Sequence, residues 1–472
     1  MNDKNNQIDI KDVTGAVRSH RPVDNGHIYV RSQQGRWQRL RKQMGWFFML
    51  LFLMGPWLTW NGRQAVLLDV VEQRFHIFGT TIWPQDFTLL ALLFVVAAFG
   101  LFFITTFLGR VWCGYLCPQT VWTFLFIWFE EKFEGSANKR KVLDKSPWNF
   151  NKVWRKTGKH LSWLLVSLFT GFTFIAYFVP VEELGLGLLT FSAGFWVTFW
   201  VVFFAFCTYG NAGWMRTIMC THICPYSRFQ SAMFDKDTYT VSYDVKRGEA
   251  RGPRPRKKDP RELGLGDCID CDMCVQVCPA GIDIRDGLQY ECINCGACVD
   301  ACDQTMDRMG YPRGLISYTT EHKLQHDHTH VARPKLISYG LVMVIMLAAF
   351  VYMAASIMPM GLEVIRDRNQ LYRETAEGLI ENTYTLKIIN KTLAAETYQL
   401  HVEGLDEVEW IGATEVTVQG GEVYTLPISL SIDPYNLNGT VRDLEFVVTR
   451  KGVSPDQRKA VIRNPSKFFS SL

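Results

Sequence analysis

The chain has 472 residues, too many for one ordinary domain, with a hydrophobic fraction of 48% and a formal net charge of +4. So small a charge for this length gives no general affinity for nucleic acid, and a mean hydropathy of zero averages very apolar stretches with strongly polar ones. The 13 cysteines all fall between Cys113 and Cys302; an odd, clustered set argues against a secreted disulfide framework and for metal thiolates in a reducing compartment.

The N-terminus, MNDKNNQIDIKDVTGAVRSH, is polar and lacks the apolar core of a signal peptide, so export of the whole chain is not expected. A helix needs about 20 mostly apolar residues to cross the hydrocarbon core. Five stretches are candidates: 45–60, which contains Pro56 and is flanked by Trp46, Trp57 and Trp60; 87–108; 161–179; 186–208; and 336–360. A turn at Pro180, Val181, Glu182 and Glu183 is expected between the third and fourth. The segment 122–133, with Trp122, Phe126, Trp128 and Phe129, reads as an interfacial helix. Basic residues crowd three places: Arg31 to Lys42, Lys139 to Lys159, and Lys246 to Lys258. The positive-inside rule places these in the cytoplasm and the C-terminus outside.

From about residue 376 the pattern changes to short alternating runs: 384–389, 398–402, 408–411, 423–432, 444–448 and 459–462, separated by turns such as Asp433-Pro434-Tyr435-Asn436. This predicts a β-sandwich of immunoglobulin-like size. The expected fold is a mainly α-helical integral membrane protein of about five transmembrane helices, carrying an inserted two-cluster bacterial ferredoxin-like module and a C-terminal all-β immunoglobulin-like sandwich. The expected division is a cytoplasmic segment 1–43, a four-span region 44–235, a cytoplasmic loop 236–335 with the module at about 262–312, a fifth span 336–360, and a periplasmic domain 376–472.

Between Cys268 and Cys302 the chain reads CIDCDMCVQVCPAGIDIRDGLQYECINCGACVDAC. This contains C-x2-C-x2-C-x3-C-P followed by C-x2-C-x2-C-x3-C, the bacterial two-cluster arrangement in which the fourth cysteine of each run serves the other cluster. Three thiolates on a curled loop reach three iron corners, and backbone N–H groups face the bridging sulfides. One [4Fe–4S] cluster is then expected on Cys268, Cys271, Cys274 and Cys302, the other on Cys278, Cys292, Cys295 and Cys298. Asp303 replaces the second proline and puts a carboxylate near the first cluster. Structural zinc, which takes two separated C-x2-C pairs, needs no such runs.

Two further motifs stand after apolar stretches: Cys113-Gly-Tyr-Leu-Cys117-Pro118 and Cys220-Thr-His-Ile-Cys224-Pro225, each preceded by an arginine, Arg110 or Arg216. They read as an internal duplication. Cysteines at i and i+4 share a face if helical, and two such pairs together form a four-thiolate site. Soft thiolates suit Cu(I), with His222, Met215 and Met219 as further candidate ligands. A further iron–sulfur site, redox dithiols and plain packing stay open. The tract His322, His326, His328 and His330 is either a metal site or a solvated linker. Cys207 reads as an apolar filler.

The order of parts, with early spans, two C-x3-C-P motifs, a ferredoxin insert and a terminal β-domain, resembles the cytochrome c oxidase accessory proteins (CcoG, FixG, RdxA). The resemblance covers nearly the whole chain after about Gly26. It implies a bacterial cytoplasmic-membrane protein in maturation of cbb3-type oxidase that reduces Cu(II) to Cu(I). It implies oxidase assembly factors, or a copper chaperone or transporter, as partners, and a cytoplasmic electron donor. Self-association stays open. Two other functions fit the residues: a quinol dehydrogenase-type polyferredoxin, and a non-catalytic assembly scaffold or redox sensor.

Overall fold

The computed structural model describes residues 23–24, 27–256, 258–325, 328–367, 370–392, 394–405, 407–437, 439–452 and 460–470. The chain divides into two units, one built from residues up to Leu58 with Leu90–Phe350, the other from Thr59–Leu89 with Val351–Leu472. In chain order the helices are α1 (Arg36–Met54), α2 (Phe87–Leu108), α3 (Val111–Tyr115), α4 (Pro118–Glu134), α5 (Ala137–Lys145), α6 (Phe150–Ile175) and α7 (Val181–Leu189). There follow α8 (Phe195–Tyr209), α9 (Pro225–Met233), α10 (Val245–Gly248), α11 (Met273–Gln276), α12 (Ala297–Met309), α13 (Glu321–Leu324) and α14 (Pro334–Ser356).

Three of these are long and apolar enough to cross a membrane: α2, α14, and α8 together with its π-helical continuation through Met215. Their apolar side chains, such as Phe94, Phe203 and Leu341, lie exposed on the chain by itself, so lipid is the natural cover. The helices depart from the expected spans and turn in three places. The candidate at 45–60 is α-helical to Met54 and 3₁₀-helical through Trp57, and Thr59–Trp60 is a strand. The candidate at 186–208 is two helices, because α7 ends at Leu189 and α8 starts at Phe195. The expected turn at residues 180–183 is instead the start of α7. The apolar part of α6 packs against α8 through Gly171, where a Cβ would come within 2.5 Å of the Val201 carbonyl oxygen. Only a glycine permits that approach.

The second unit is the expected sandwich, and it is larger than the sequence suggested. One sheet runs in the order Met360–Arg366, Ile380–Asn390, Val423–Ile432, Glu409–Ile411; the other runs Glu415–Val418, Glu396–Glu403, Val441–Arg450, Val461–Phe469. Alternation along Ile380–Asn390 turns Tyr384, Leu386 and Ile388 into a core completed by Leu430, Phe446 and Phe468, the period-two pattern of a half-buried strand. Met360–Arg366 begins upstream of residue 376, hidden in the sequence because it follows directly on the apolar run of α14. The connection between the first two candidate spans contains a three-stranded sheet, Val66–Asp69, Arg74–Ile77 and Thr80–Ile82. Within this unit Lys391 pairs with Asp86 at 2.7 Å.

In the first unit, several basic residues are pinned to acids. Glu130 of α4, buried, meets both Arg140 (2.5 Å) and Arg216, while Lys156 and Lys159 of α6 reach Glu134 at 3.1 and 3.0 Å. Burial opposes ionisation of Glu130, yet the two arginines outweigh it and hold the carboxyl below its ordinary value. Its contribution to stability is therefore present above the unfolded carboxylate range and fades as pH falls through the lower folded value. Glu130→Gln leaves the buried Arg140 and the half-buried Arg216 without their carboxylate, and we expect a loss of about 3–5 kcal/mol, read as a lower midpoint of thermal unfolding in detergent at pH 7. A midpoint equal to that of the unsubstituted chain contradicts this reading.

Candidate metal centres

The eight closely spaced cysteines fold into two loops with the same backbone. Asp270 and Asp272 in the first loop, and Asn294 and Gly296 in the second, take left-handed conformations, with φ of 55°, 54°, 53° and 70°. These positions flank the middle cysteine of each run, Cys271 and Cys295. Asn, Asp and Gly tolerate that region best, which explains the residues chosen there and curls each loop around a hollow. One hollow is lined by Cys268, Cys271, Cys274 and Cys302; the other is lined by Cys278, Cys292, Cys295 and Cys298, with Cys274 at the shared wall. Cys302 thus lies in the hollow of the first run, and Cys278 in that of the second.

The donor chemistry fits an iron–sulfur cube. Burial pushes the thiols of Cys278 and Cys302 up to about 12 and Cys292 up to about 11, and neighbouring thiols push the same way. Burial raises Cys274 and Cys298 as well. Four thiolates cannot share such a hollow without a cation at its centre. Arg285, which sequence reasoning missed, braces the first loop. Its guanidinium is 3% exposed and pairs with Asp270, Asp272 and Asp283 at 2.6, 2.6 and 2.7 Å.

The two Cys-Pro motifs share one turn geometry. In each, the second cysteine is the extended N-cap of a helix whose first residue is the proline, α4 after Cys117 and α9 after Cys224, the position where proline's missing N–H costs nothing. In each, that cysteine's N–H donates five residues back, Cys117 to Trp112 and Cys224 to Met219, both at 2.9 Å. The expected single helical face for each pair is therefore not formed, because the helix breaks between the two cysteines. The four thiols still converge: charge on Cys117 and Cys220 acts on Cys113, and charge on Cys117 and Cys224 acts on Cys220. Burial pushes Cys113 up to about 12 and Cys220 up to about 11, with Arg110 pulling both down. His222 is exposed and its Nδ1 engages Thr221 Oγ1 at 2.7 Å. A single tetrahedral ion with about 2.3 Å bonds to sulfur needs sulfurs closer together than these: among the described residues only Asp237, His322 and His330 bring three candidate ligand atoms within 4.8 Å of one another.

That last group revises the histidine tract. His322 Nδ1 lies 2.8 Å and His330 Nδ1 3.7 Å from the buried Asp237 carboxylate. His328 is not part of the group, and His326 lies outside the described residues. Asp237 carried no sequence signal, being 85 residues from His322.

Arg110 joins the thiol sites. Buried at 4% exposure, it donates to the carbonyls of Tyr290 (2.5 Å) and Ser227 (2.7 Å), and its charge acts on Cys113, Cys220 and Cys292. Gly114 presses on the second cysteine loop so closely that a Cβ would stand 2.7 Å from the Ile293 oxygen. Cys113 packs against the buried cluster formed by Val277, Ile293, Cys295, Ala297 and Ala301.

Comparison with known proteins agrees with this organisation. Residues 215–321 match a 4Fe-4S dicluster domain, 90–134 a 4Fe-4S binding domain, and 350–471 the Ig-like fold at the C-terminus of FixG. The chain is 40% identical to protein RdxA of Cereibacter sphaeroides over 75% of its length and 77% of that protein. It is 34% identical to nitrogen fixation protein FixG of Rhizobium meliloti over 84% of its length and 83% of that protein. Similarity at 26% extends to ferredoxin-type protein NapH of Haemophilus influenzae, over 51% of this chain and 85% of that one. With its apolar helices, cysteine hollows and terminal sandwich, the chain belongs to the FixG/RdxA family and is a membrane-associated iron–sulfur protein of ferredoxin type.

Proposed function

We propose that this protein is a membrane-bound metal reductase that converts Cu(II) to Cu(I) for assembly of a cbb3-type cytochrome c oxidase. The observation that carries the reading is the direct packing of Cys113 on the loop of Cys292, Cys295 and Cys298, with Arg110 spanning both. Cys268, Cys271, Cys274 and Cys302 would hold one [4Fe–4S] cluster, and Cys278, Cys292, Cys295 and Cys298 the other. When bound, these clusters supply one-electron storage over a wide span of potentials.

The protein's own groups do the rest. Cys113, Cys117, Cys220 and Cys224 offer soft sulfur that draws copper in and favours its reduced state. Arg110 offsets their negative charge without adding a competing ligand. Each turnover adds one electron to Cu(II) and leaves Cu(I) for a copper chaperone or transporter; no proton is taken or released by the metal. The basic segments around Lys42, Lys139 to Lys159 and Lys246 to Lys258 support a cytoplasmic location for the cysteines, with the sandwich in the periplasm.

A second reading has its own support. The wide spacing of the four thiols, together with the 4Fe-4S binding domain matched across 90–134, favours a third cluster at Cys113, Cys117, Cys220 and Cys224. Copper would then be reduced at another surface.

Two measurements follow. Chemically reduced protein mixed with Cu(II) and a Cu(I)-specific chelator should develop colour. The alanine variant of Cys113, Cys117, Cys220 and Cys224 should lose that colour by at least tenfold while keeping the iron of two clusters; a loss of iron establishes the third-cluster reading, and no colour from the unsubstituted protein removes the reductase. Arg110→Gln removes a cation beside Cys292 and should lower that cluster's midpoint potential by tens of millivolts, at about 59 mV per 1.4 kcal/mol. The cluster on Cys268 should hold its potential, and an EPR-monitored redox titration reads both.

A further inference from the structure

The cavity of about 350 Å³ in the first unit is lined by parts of α1, α3 and α4 and by two residues of the cysteine module, Val277 and Ala297. That volume is inside the range filled by small-molecule ligands. It opens where α1 changes character. Arg36, Arg39, Arg41 and Lys42 give way to Trp46, Phe47, Leu50 and Leu51, whose apolar surfaces are exposed, the signature of a membrane–water boundary. Trp46 and Trp128 stand at its wall.

Two donors in this wall have no partner. Gln38 and Arg41 are 4% and 9% exposed, and Gln38 Nε2 and Arg41 Nη1 are buried without a hydrogen bond. Such orphans are costly unless a ligand or water meets them. Their surroundings are well fixed: Asp300 of α12 accepts from the Gln38 backbone N–H at 2.8 Å, and the Arg41 guanidinium lies 3.3 Å from the centre of the Phe124 ring. The cavity also touches the redox module. Ala297 lines both it and the hollow of Cys278, Cys292, Cys295 and Cys298, and the charge of Cys295 acts on Arg41.

We propose that this cavity binds the head group of a membrane quinone, with the Gln38 amide and the Arg41 guanidinium donating to its carbonyl oxygens. An apolar ring with two acceptor oxygens and an isoprenoid tail matches a largely apolar site with two orphan donors at a bilayer edge. The electron count matches as well. Oxidation of the hydroquinone to the quinone releases two electrons and two protons. With its clusters bound, the module would offer two one-electron acceptors, and the two protons would pass to water. This rests on the iron–sulfur reading and names the electron donor that the reductase requires.

The test uses the full chain in nanodiscs with a short-chain azido-ubiquinone as photolabel. Labelled peptides should map to 36–49 and 120–128, and decyl-ubiquinone or menadione should displace the label while excess phosphatidylglycerol does not. Arg41→Gln and Gly45→Leu, each checked for retained cluster iron, should weaken quinone binding at least tenfold. Hydroquinone should reduce the clusters of the unsubstituted protein more than tenfold faster than those of either variant. Labelling elsewhere, displacement by phospholipid alone, or unchanged affinity in both iron-replete variants overturns the site. Copper reduction driven by dithionite bypasses the cavity, so its failure strikes the reductase reading and not this one.

Discussion

A buried guanidinium holds the functional half of this molecule together. Arg110 leaves the end of α2, donates to the Tyr290 carbonyl of the cysteine module and to the Ser227 carbonyl of α9, and faces thiols from three segments. Removing such a group from water costs several kcal/mol unless its hydrogen bonds are replaced and a counter-charge is near. Here the carbonyls supply the bonds. The counter-charge comes from cysteines, whose own ionisation burial opposes. Cation and thiolates are thus interdependent, and the site favours an anionic metal–sulfur centre over empty thiols.

The duplicated Cys-Pro turn gives the same economy in backbone terms. Proline starts α4 and α9, the preceding cysteine is forced extended, and its N–H reaches back to the same relative carbonyl in each copy. Two copies of one turn, each following an apolar helix, bring four thiols near one another, with Cys113 packed against the ferredoxin module. The module in turn caps α1, because Asp300 satisfies the Trp37 and Gln38 N–H groups that Gly35 cannot.

Much of this could be read in the residue order, because cysteine spacing and period-two alternation are local signals. The two four-cysteine runs and the strand Val423–Ile432 needed nothing beyond it. What escaped was long-range or masked by hydropathy. Arg110 meets Tyr290 across 180 residues, Arg285 draws three aspartates together, and Asp237 finds His322 only through the fold. The run 186–208 carries no charge, and the Thr190, Ser192 and Gly194 that separate α7 from α8 are too slight a mark to stop it reading as one span. The i, i+4 spacing of each Cys-Pro pair suggested one helical face, but proline dictates a new helix and moves the second cysteine off that face.

The most direct test of the account is metal analysis of anaerobically purified protein. The account predicts close to eight irons and eight acid-labile sulfides per chain from two four-iron clusters, or more if the four-thiol site also holds iron, with an EPR signal of coupled reduced clusters after dithionite. Zinc in place of iron, with no labile sulfide and no such signal, would contradict it.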